Sequence, residues 1–234
     1  MRRHIPNTIT CCNLLSGCIA TTFAFEGMYT IAFALIITGA VFDFFDGLSA
    51  RALGVSSPIG KELDSLADVV TFGFAPAAMV FSWLGECINS EFIIHNSAFT
   101  AVVPYVAFLL VAFSALRLAK FNVDERQTSS FIGLPTPANA LFWGALVIGS
   151  HDTIIAAPYG WVLVIALVAL FSWLLVAEIP MFSLKFKNLS WKSNRTAYTF
   201  LLVSIVLLAV LGLTGLSAVI GWYIILSILT QKRS

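Results

Sequence analysis

The chain has 234 residues, of which 59% are hydrophobic and only 11% are charged, and its formal net charge is +1. A soluble domain carries about 25% charged residues because its surface needs them, so this composition excludes a soluble protein and predicts one that is covered by lipid. The small net charge, without a dense basic stripe, argues against a nucleic-acid partner. The 20 phenylalanines, 6 tryptophans and 5 tyrosines exclude a disordered chain.

The apolar segments predict an all-α, polytopic transmembrane helix bundle of about eight spans, since one span needs about 20 mainly apolar residues. We expect a single integral membrane catalytic domain over 1–234, with core spans at about 10–178. The last two spans would form an additional helical hairpin at about 196–230, with one long helix as the alternative. A polar loop is predicted at 85–97. The predicted spans are approximately 10–26, 28–50, 62–84, 98–120, 134–150, 156–178, 196–212 and 214–230.

The basic residues divide the predicted connections into two groups. All 13 lysines and arginines fall at the two termini or in the connections after spans 2, 4 and 6, whereas the other connections carry acidic residues and no lysine or arginine. Positive residues mark the cytoplasmic side of membrane proteins. The pattern therefore predicts a multi-pass protein of the inner (cytoplasmic) membrane, with both termini in the cytoplasm.

Four aspartates lie where two predicted spans meet the cytoplasmic surface. Asp43 and Asp46 end span 2, and Asp64 and Asp68 begin span 3, at spacings that put each pair on one face of a helix. Four carboxylates in a low-dielectric pocket need cations, and carboxylate oxygens suit Mg²⁺ or Mn²⁺ rather than zinc. The sequence therefore predicts two divalent cations that clamp a diphosphate substrate, with a structural salt-bridge cluster as the alternative.

The stretch from Asp43 to Asp68 reads DFFDGLSARALGVSSPIGKELDSLAD. It resembles the signature of the CDP-alcohol phosphatidyltransferase family, D-x2-D-G-x2-A-R-x8-G-x3-D-x3-D, at every fixed position. The resemblance implies the fold of that family and an enzyme that transfers a substituted phosphate from CDP-diacylglycerol to an alcohol, releasing CMP at a cytoplasmic site. It also implies a homodimer.

The resemblance further implies roles for individual residues. One ion would be bound by the first three aspartates in the chain, and the other ion by Asp43, Asp64 and Asp68. Asp68 would also be the general base. The segment Pro6-Asn7-Thr8-Ile9-Thr10 resembles the PN-x-x-T element of the family, with a plain helix N-cap as the alternative. The residues expected to bind the CDP-diacylglycerol headgroup are Asn7, Thr8, Thr10, Gly47, Ala50, Arg51, Ser57 and Gly60.

Two later stretches bear on the acceptor alcohol. RLAKFN, which begins at Arg117, and FIGLPTPA, which begins at Phe131, resemble the branch of the family that uses serine. Arg117 or Lys120 would bind the carboxylate of L-serine, with ordinary positive-inside residues as the alternative. Pro135 and Thr136 would shape the acceptor pocket, or they form a plain break before span 5.

Two other functions stay open at this stage. A sister enzyme of the same family would use glycerol 3-phosphate or inositol, and an acceptor that carries its own phosphate would need more cations than Arg117 and Lys120 supply. A cation transporter would use the four acids as an ion pathway. That pathway needs acids spread across the depth of the bilayer, whereas these acids cluster at one face.

Overall fold

A computed structural model gives the tertiary structure and describes residues 4–55, 57–90, 101–124, 131–182, 191 and 194–231. Nearly all of these residues are helical, which confirms the predicted all-α class. The helices of the described part are α1 His4–Phe25, α2 Tyr29–Leu53, α3 Pro58–Asp68, α4 Ala75–Ser90, α5 Leu109–Val123, α6 Thr136–Ala156, α7 Gly160–Val176, α8 Arg195–Leu211 and α9 Gly215–Gln231. A π-helical turn (Val69–Phe74) joins α3 to α4, and 3-10 turns cover Val103–Phe108 and Gly212–Thr214. Two short strands, β1 (Phe131–Ile132) and β2 (Pro180–Met181), pair antiparallel.

Five helical stretches of the described residues are long and apolar enough to cross a membrane, so the protein is a multi-pass membrane protein. They are His4–Phe25, Tyr29–Leu53, Pro58–Ser90, Val103–Val123 and Arg195–Thr230. Gly160–Val176 is apolar but shorter, and Arg195–Thr230 counts once although it contains both α8 and α9. The number of eight spans is therefore not confirmed by length and hydropathy.

Two predicted boundaries are wrong. Helix α1 begins at His4 and not near residue 10, because a proline such as Pro6 is tolerated in the first turn. The segment PN-x-x-T therefore lies inside the helix and does not cap it. Helix α4 continues to Ser90 through the first part of the predicted loop, because Cys87 and Ile88 are buried. The rest of that loop, residues 91–97, lies outside the described residues.

Small side chains let α1, α2 and the π-helical turn pack closely together. A Cβ atom on Gly17 of α1 would lie 2.4 Å from Thr71 Oγ1, and one on Gly39 of α2 would lie 2.5 Å from Thr71 Cγ2. Thr71 is fully buried and donates a hydrogen bond to the backbone oxygen of Asn13 (3.0 Å). This contact holds the π-helical turn against α1. Insertions of this kind are frequent near functional sites.

A polar cluster joins α2, α4 and α6 at the end of the bundle remote from the aspartates. Tyr29 Oη donates a hydrogen bond to Glu86, and the Nε2 and Nδ1 atoms of His151 lie 2.8 Å from Glu86 Oε2 and 2.9 Å from Asp152 Oδ1. Since Tyr29 precedes Asp46 by 17 positions in one helix, this cluster is about 26 Å along the axis from the acidic site.

The C-terminal segment contains two helices and not one long helix. The chain turns at Gly212, whose φ of +62° is in the left-handed region that favours glycine. Phe200 of α8 and Tyr223 of α9 lie with their ring centroids 5.9 Å apart. Residues on either side of the turn thus meet again, and the two helices run antiparallel.

Candidate active site

Three of the four aspartates converge where α2 ends and α3 runs back. One carboxylate oxygen each from Asp43, Asp64 and Asp68 lies within 4.8 Å of the other two. Asp46, one turn after Asp43, is not part of this triad. It is 6% exposed, and Thr10 Oγ1 donates a hydrogen bond to Asp46 Oδ2 (2.7 Å). Asp46 nevertheless lies close enough to act electrostatically on all three.

The acidic triad has the chemistry of a metal site. In the described part of the chain, no lysine or arginine forms an ion pair with the triad, and Asp64 Oδ1 is buried without a hydrogen-bond partner. Buried carboxylate oxygens that repel one another need a positive charge between them. An all-oxygen donor set fits a hard divalent cation and does not fit the His and Cys ligands that zinc prefers.

Asn13 is a member of the site that the sequence analysis missed. It is fully buried on α1, and its Nδ2 atom donates a hydrogen bond to Asp68 Oδ1 (3.3 Å). Its Oδ1 atom has no partner among the described residues. The spacing of Thr10, Asn13 and Gly17 along one helical face would have indicated it, because a face with two polar side chains and a glycine in an apolar helix is typical of a packed polar contact.

A cavity of about 260 Å³ opens beside the acids, between α1, α2 and α3. Its lining includes all the residues expected to bind the headgroup except Thr8 and Arg51. Lys61, Pro6 and Val55 were not among the expected residues. The lining residues are Pro6, Asn7, Thr10, Asp46, Gly47, Ala50, Val55, Ser57, Gly60, Lys61 and Asp64.

The N-terminus of α3 forms one wall of this cavity. Ser57 caps the helix, since its Oγ atom accepts a hydrogen bond from the backbone N–H of Gly60 (3.0 Å). A Cβ atom on Gly60 would lie 3.1 Å from Ser57 Oγ and 3.2 Å from Asn7 Oδ1, so glycine keeps this corner open. A helix N-terminus directed at a cavity favours an anionic ligand.

Two expected headgroup residues lie outside the lining. Thr8 is exposed, and its hydroxyl donates to the backbone oxygen of His4 (2.9 Å). Arg51 is exposed too, but its Nη1 atom lies 3.4 Å from where a Cβ atom of Gly47 would be. The guanidinium therefore lies at the rim of the cavity, whereas Thr8 faces away.

A second cavity, of about 240 Å³, lies at the end of α5. Arg117 in this cavity is only 6% exposed, its Nε atom has no hydrogen-bond partner among the described residues, and Asp68 acts on it electrostatically. The structure does not bring Pro135 and Thr136 into this lining, because Thr136 is buried as the first residue of α6. The lining residues are Arg117, Lys120, Val123, Asp124, Ile132, Leu175, Val176 and Glu178.

Hydrogen bonds connect the two cavities. Lys61 Nζ of α3 donates to the backbone oxygen of Asn122 (2.8 Å), and Asn122 Nδ2 donates to Ser65 Oγ (2.9 Å). Asn122 follows Lys120 by two residues in α5, so the helix with two of the aspartates is fixed to the helix with Arg117. These bonds thus connect the helix that contributes Asp64 to the first cavity with the helix that contributes Arg117 to the second.

Comparison with known proteins agrees with this arrangement. The model of the family described as CDP-alcohol phosphatidyltransferase matches residues 3–175. The chain therefore belongs to the CDP-alcohol phosphatidyltransferase family, a family of transferases.

Several relatives carry the name CDP-diacylglycerol–serine O-phosphatidyltransferase. One from Helicobacter pylori is 30% identical over 226 residues, which is 96% of this chain and 89% of the relative. One from Bacillus subtilis is 34% identical over 57% of this chain and 70% of its own length. One from Methanocaldococcus jannaschii is 36% identical over 58% of this chain and 57% of its own length.

Proposed function

We propose that this protein transfers the phosphatidyl group from CDP-diacylglycerol to the hydroxyl of L-serine, forming phosphatidylserine and releasing CMP. The observation that carries this proposal is the convergence of Asp43, Asp64 and Asp68 beside a cavity lined by most of the expected headgroup residues. The names of the relatives in Helicobacter, Bacillus and Methanocaldococcus support serine as the acceptor.

The acidic residues would hold two Mg²⁺ or Mn²⁺ ions together with the donor. Asp43, Asp64 and Asp68 would supply most of the protein ligands, and Asp46 lies beside them. Bound ions would neutralise the charge of the diphosphate. The diacylglycerol tails would stay in the bilayer, while the nucleotide enters the 260 Å³ cavity.

The residues around the donor would bind the headgroup and stabilise the leaving group. The N-terminus of α3, capped by Ser57, directs the positive end of its helix dipole at the phosphates. Lys61 in the lining and Arg51 at the rim would stabilise the negative charge that develops on departing CMP. Thr10 would keep the Asp46 carboxylate in one orientation through its 2.7 Å hydrogen bond.

Asp68 would act as the general base. The serine oxygen forms a bond to the phosphatidyl phosphorus, the bond from that phosphorus to the CMP oxygen breaks, and the hydroxyl proton passes to the Asp68 carboxylate. Asn13 donates to one oxygen of this carboxylate, which orients the group. Asp68 also lies close enough to Arg117 to interact with it electrostatically, and Asp64, one turn before it, lines the donor cavity.

The cavity at the end of α5 suits a zwitterionic amino acid. Its lining contains two cations, Arg117 and Lys120, and two carboxylates, Asp124 and Glu178. Arg117, buried and with Nε unbonded among the described residues, would bind the serine carboxylate, and the acidic side would receive the ammonium group. Because two cations and two carboxylates share the lining, the cavity offers no excess of positive charge to an acceptor with a phosphate of its own.

We further propose that the whole chain, 1–234, forms one catalytic domain of the inner membrane with its termini and active site in the cytoplasm. The core would cover about 10–178 and the C-terminal hairpin about 196–230, and the family resemblance suggests a homodimer. The charges support this orientation. The basic residues described at the acidic end are Arg51, Lys61, Arg117 and Lys120, and the groups at the opposite end are Glu86, His151 and Asp152.

A direct assay tests the proposed function. Purified protein is supplied with CDP-diacylglycerol and Mg²⁺ or Mn²⁺, and with serine, glycerol 3-phosphate or inositol in turn, and both CMP and the lipid product are measured. We expect CMP release with serine and a matching amount of phosphatidylserine, and loss of both with EDTA. No release with serine, together with release for another alcohol, would overturn the choice of acceptor.

A further inference from the structure

The C-terminal helix α9 packs against β2, the partner of the strand that contributes Ile132 to the cavity that contains Arg117. The family model ends at residue 175, so α9 lies outside the matched region. Tyr223 of α9 is nevertheless 8% exposed and lies in the neighbourhood of Arg117, which is itself 6% exposed. Asp68 also lies close enough to this guanidinium to interact with it electrostatically. Arg117 thus has both the candidate base and a tyrosine of the C-terminal hairpin in its neighbourhood.

Tyr223 also fixes the strand that follows the cavity wall. Its hydroxyl donates a hydrogen bond to the backbone oxygen of Phe182 (3.1 Å), directly after β2. The ring of Phe182 packs on that of Tyr223 (centroids 4.9 Å apart) and on that of Phe200 of α8 (5.5 Å). Both helices of the hairpin therefore hold the end of this strand.

The strand in turn positions residues of the cavity. Ile132 of β1, a lining residue, pairs with Pro180 of β2. The next residue, Gly133, donates its N–H to Ile179 O (2.9 Å) and has a φ of +76°. A Cβ atom there would lie 2.6 Å from the backbone oxygen of Leu175, another lining residue, so only glycine allows this close contact. A displacement of β2 would therefore move two sides of the cavity.

We propose that Tyr223 is a positioning residue for the acceptor, because its hydroxyl holds the end of β2, whose partner strand β1 lines the cavity. The C-terminal hairpin is then a functional part of the acceptor site and not an appendage. This inference rests on the proposed function, since it assigns the Arg117 cavity to serine. Tyr223 does not touch the reacting atoms, so its effect is on acceptor binding and not on the chemical step.

The test is a comparison of Tyr223→Phe with wild type in the CMP-release assay, with serine and CDP-diacylglycerol varied separately. Phenylalanine keeps the ring that packs on Phe182 and Phe200 and removes only the hydroxyl. We expect the KM for serine to rise about tenfold, while kcat at saturating serine and the KM for CDP-diacylglycerol stay within about twofold. Tyr198→Phe is the matched control, because Tyr198 lies on α8, where its ring stacks on Trp191 (5.0 Å); we expect it to leave all three values unchanged.

A second measurement separates positioning from general support of the fold. In an Arg117→Ala background, Tyr223→Phe should raise the serine KM by clearly less than it does alone, because the two changes affect one interaction. An unchanged serine KM in Tyr223→Phe overturns the inference. An equal rise in the KM values for serine and CDP-diacylglycerol, together with a lower Tm, overturns it as well. If the wild type uses another alcohol, the proposed function fails by itself, and the same comparison with that alcohol still decides the role of Tyr223.

Discussion

Asn13 and Asp68 are 55 positions apart in the chain, yet the Asn13 side chain donates a hydrogen bond to the Asp68 carboxylate inside the bundle. The contact exists because Thr71, one turn after Asp68, fits between Gly17 of α1 and Gly39 of α2. The close packing of three helices therefore determines the orientation of the proposed base.

Substitution Asp68→Asn should abolish most turnover. An amide has nearly the size of the carboxylate and can still accept from Asn13, but it cannot take a proton from the acceptor hydroxyl. General-base catalysis contributes about 10²–10⁴-fold, so we expect kcat to fall by at least about 100-fold, with the dissociation constant of CDP-diacylglycerol changed much less. Titration with CDP-diacylglycerol gives the dissociation constant, and CMP release gives kcat. Near-normal turnover would exclude Asp68 as the general base.

Substitution Gly17→Ala should damage both stability and activity. The new Cβ atom would lie 2.7 Å from Thr71 Cα and 2.9 Å from Thr71 N, which are backbone atoms that cannot rotate away. Overpacking of this kind costs about 1–3 kcal/mol, and the shift would move Asp68 away from Asn13. Gly85→Ala is the control, since no atom lies within 4 Å of a Cβ there. The Tm in detergent and kcat should both fall for Gly17→Ala, and both should stay unchanged for Gly85→Ala.

Substitution Arg117→Ala should act mainly on the acceptor. Hydrogen bonds to a charged group contribute about 1.5–3 kcal/mol, so the KM for serine should rise at least tenfold, while the KM for CDP-diacylglycerol changes little. Arg195→Ala, at an exposed position at the start of α8, removes the same charge outside the cavity. A serine dependence identical to that of wild type would exclude Arg117 from carboxylate binding.

Substitution Tyr29→Phe should lower stability without changing the kinetics. The change removes the hydrogen bond to Glu86 in the polar cluster remote from the site. Glu86 is partly exposed, so we expect a loss of about 1 kcal/mol and a fall in Tm of about 2–4 °C. Tyr105→Phe, at a ring that is 58% exposed, serves as the control. A change in either KM would show that the remote cluster is coupled to the active site.

The sequence predicted those features that depend on local order. Asp43 and Asp46 share one helical face, and so do Asp64 and Asp68, because the helical period alone fixes spacings of three and four residues. Short-range backbone geometry also determines the capping of α3 by Ser57 and the left-handed residue Gly54 that ends α2, although neither was predicted. The apolar composition determined that the chain spans a membrane several times.

Contacts between distant residues were decided by the tertiary structure alone. No spacing rule indicates that Asp46 would bind Thr10 while Asp43, Asp64 and Asp68 form the triad, because this depends on how α1 rotates against α2. The same holds for Lys61 with Asn122 and for Tyr223 with Phe182, which bring the ends of separate helices together. Such pairings depend on side-chain packing between helices, and apolar helices with similar faces can pack in several ways until particular glycines select one.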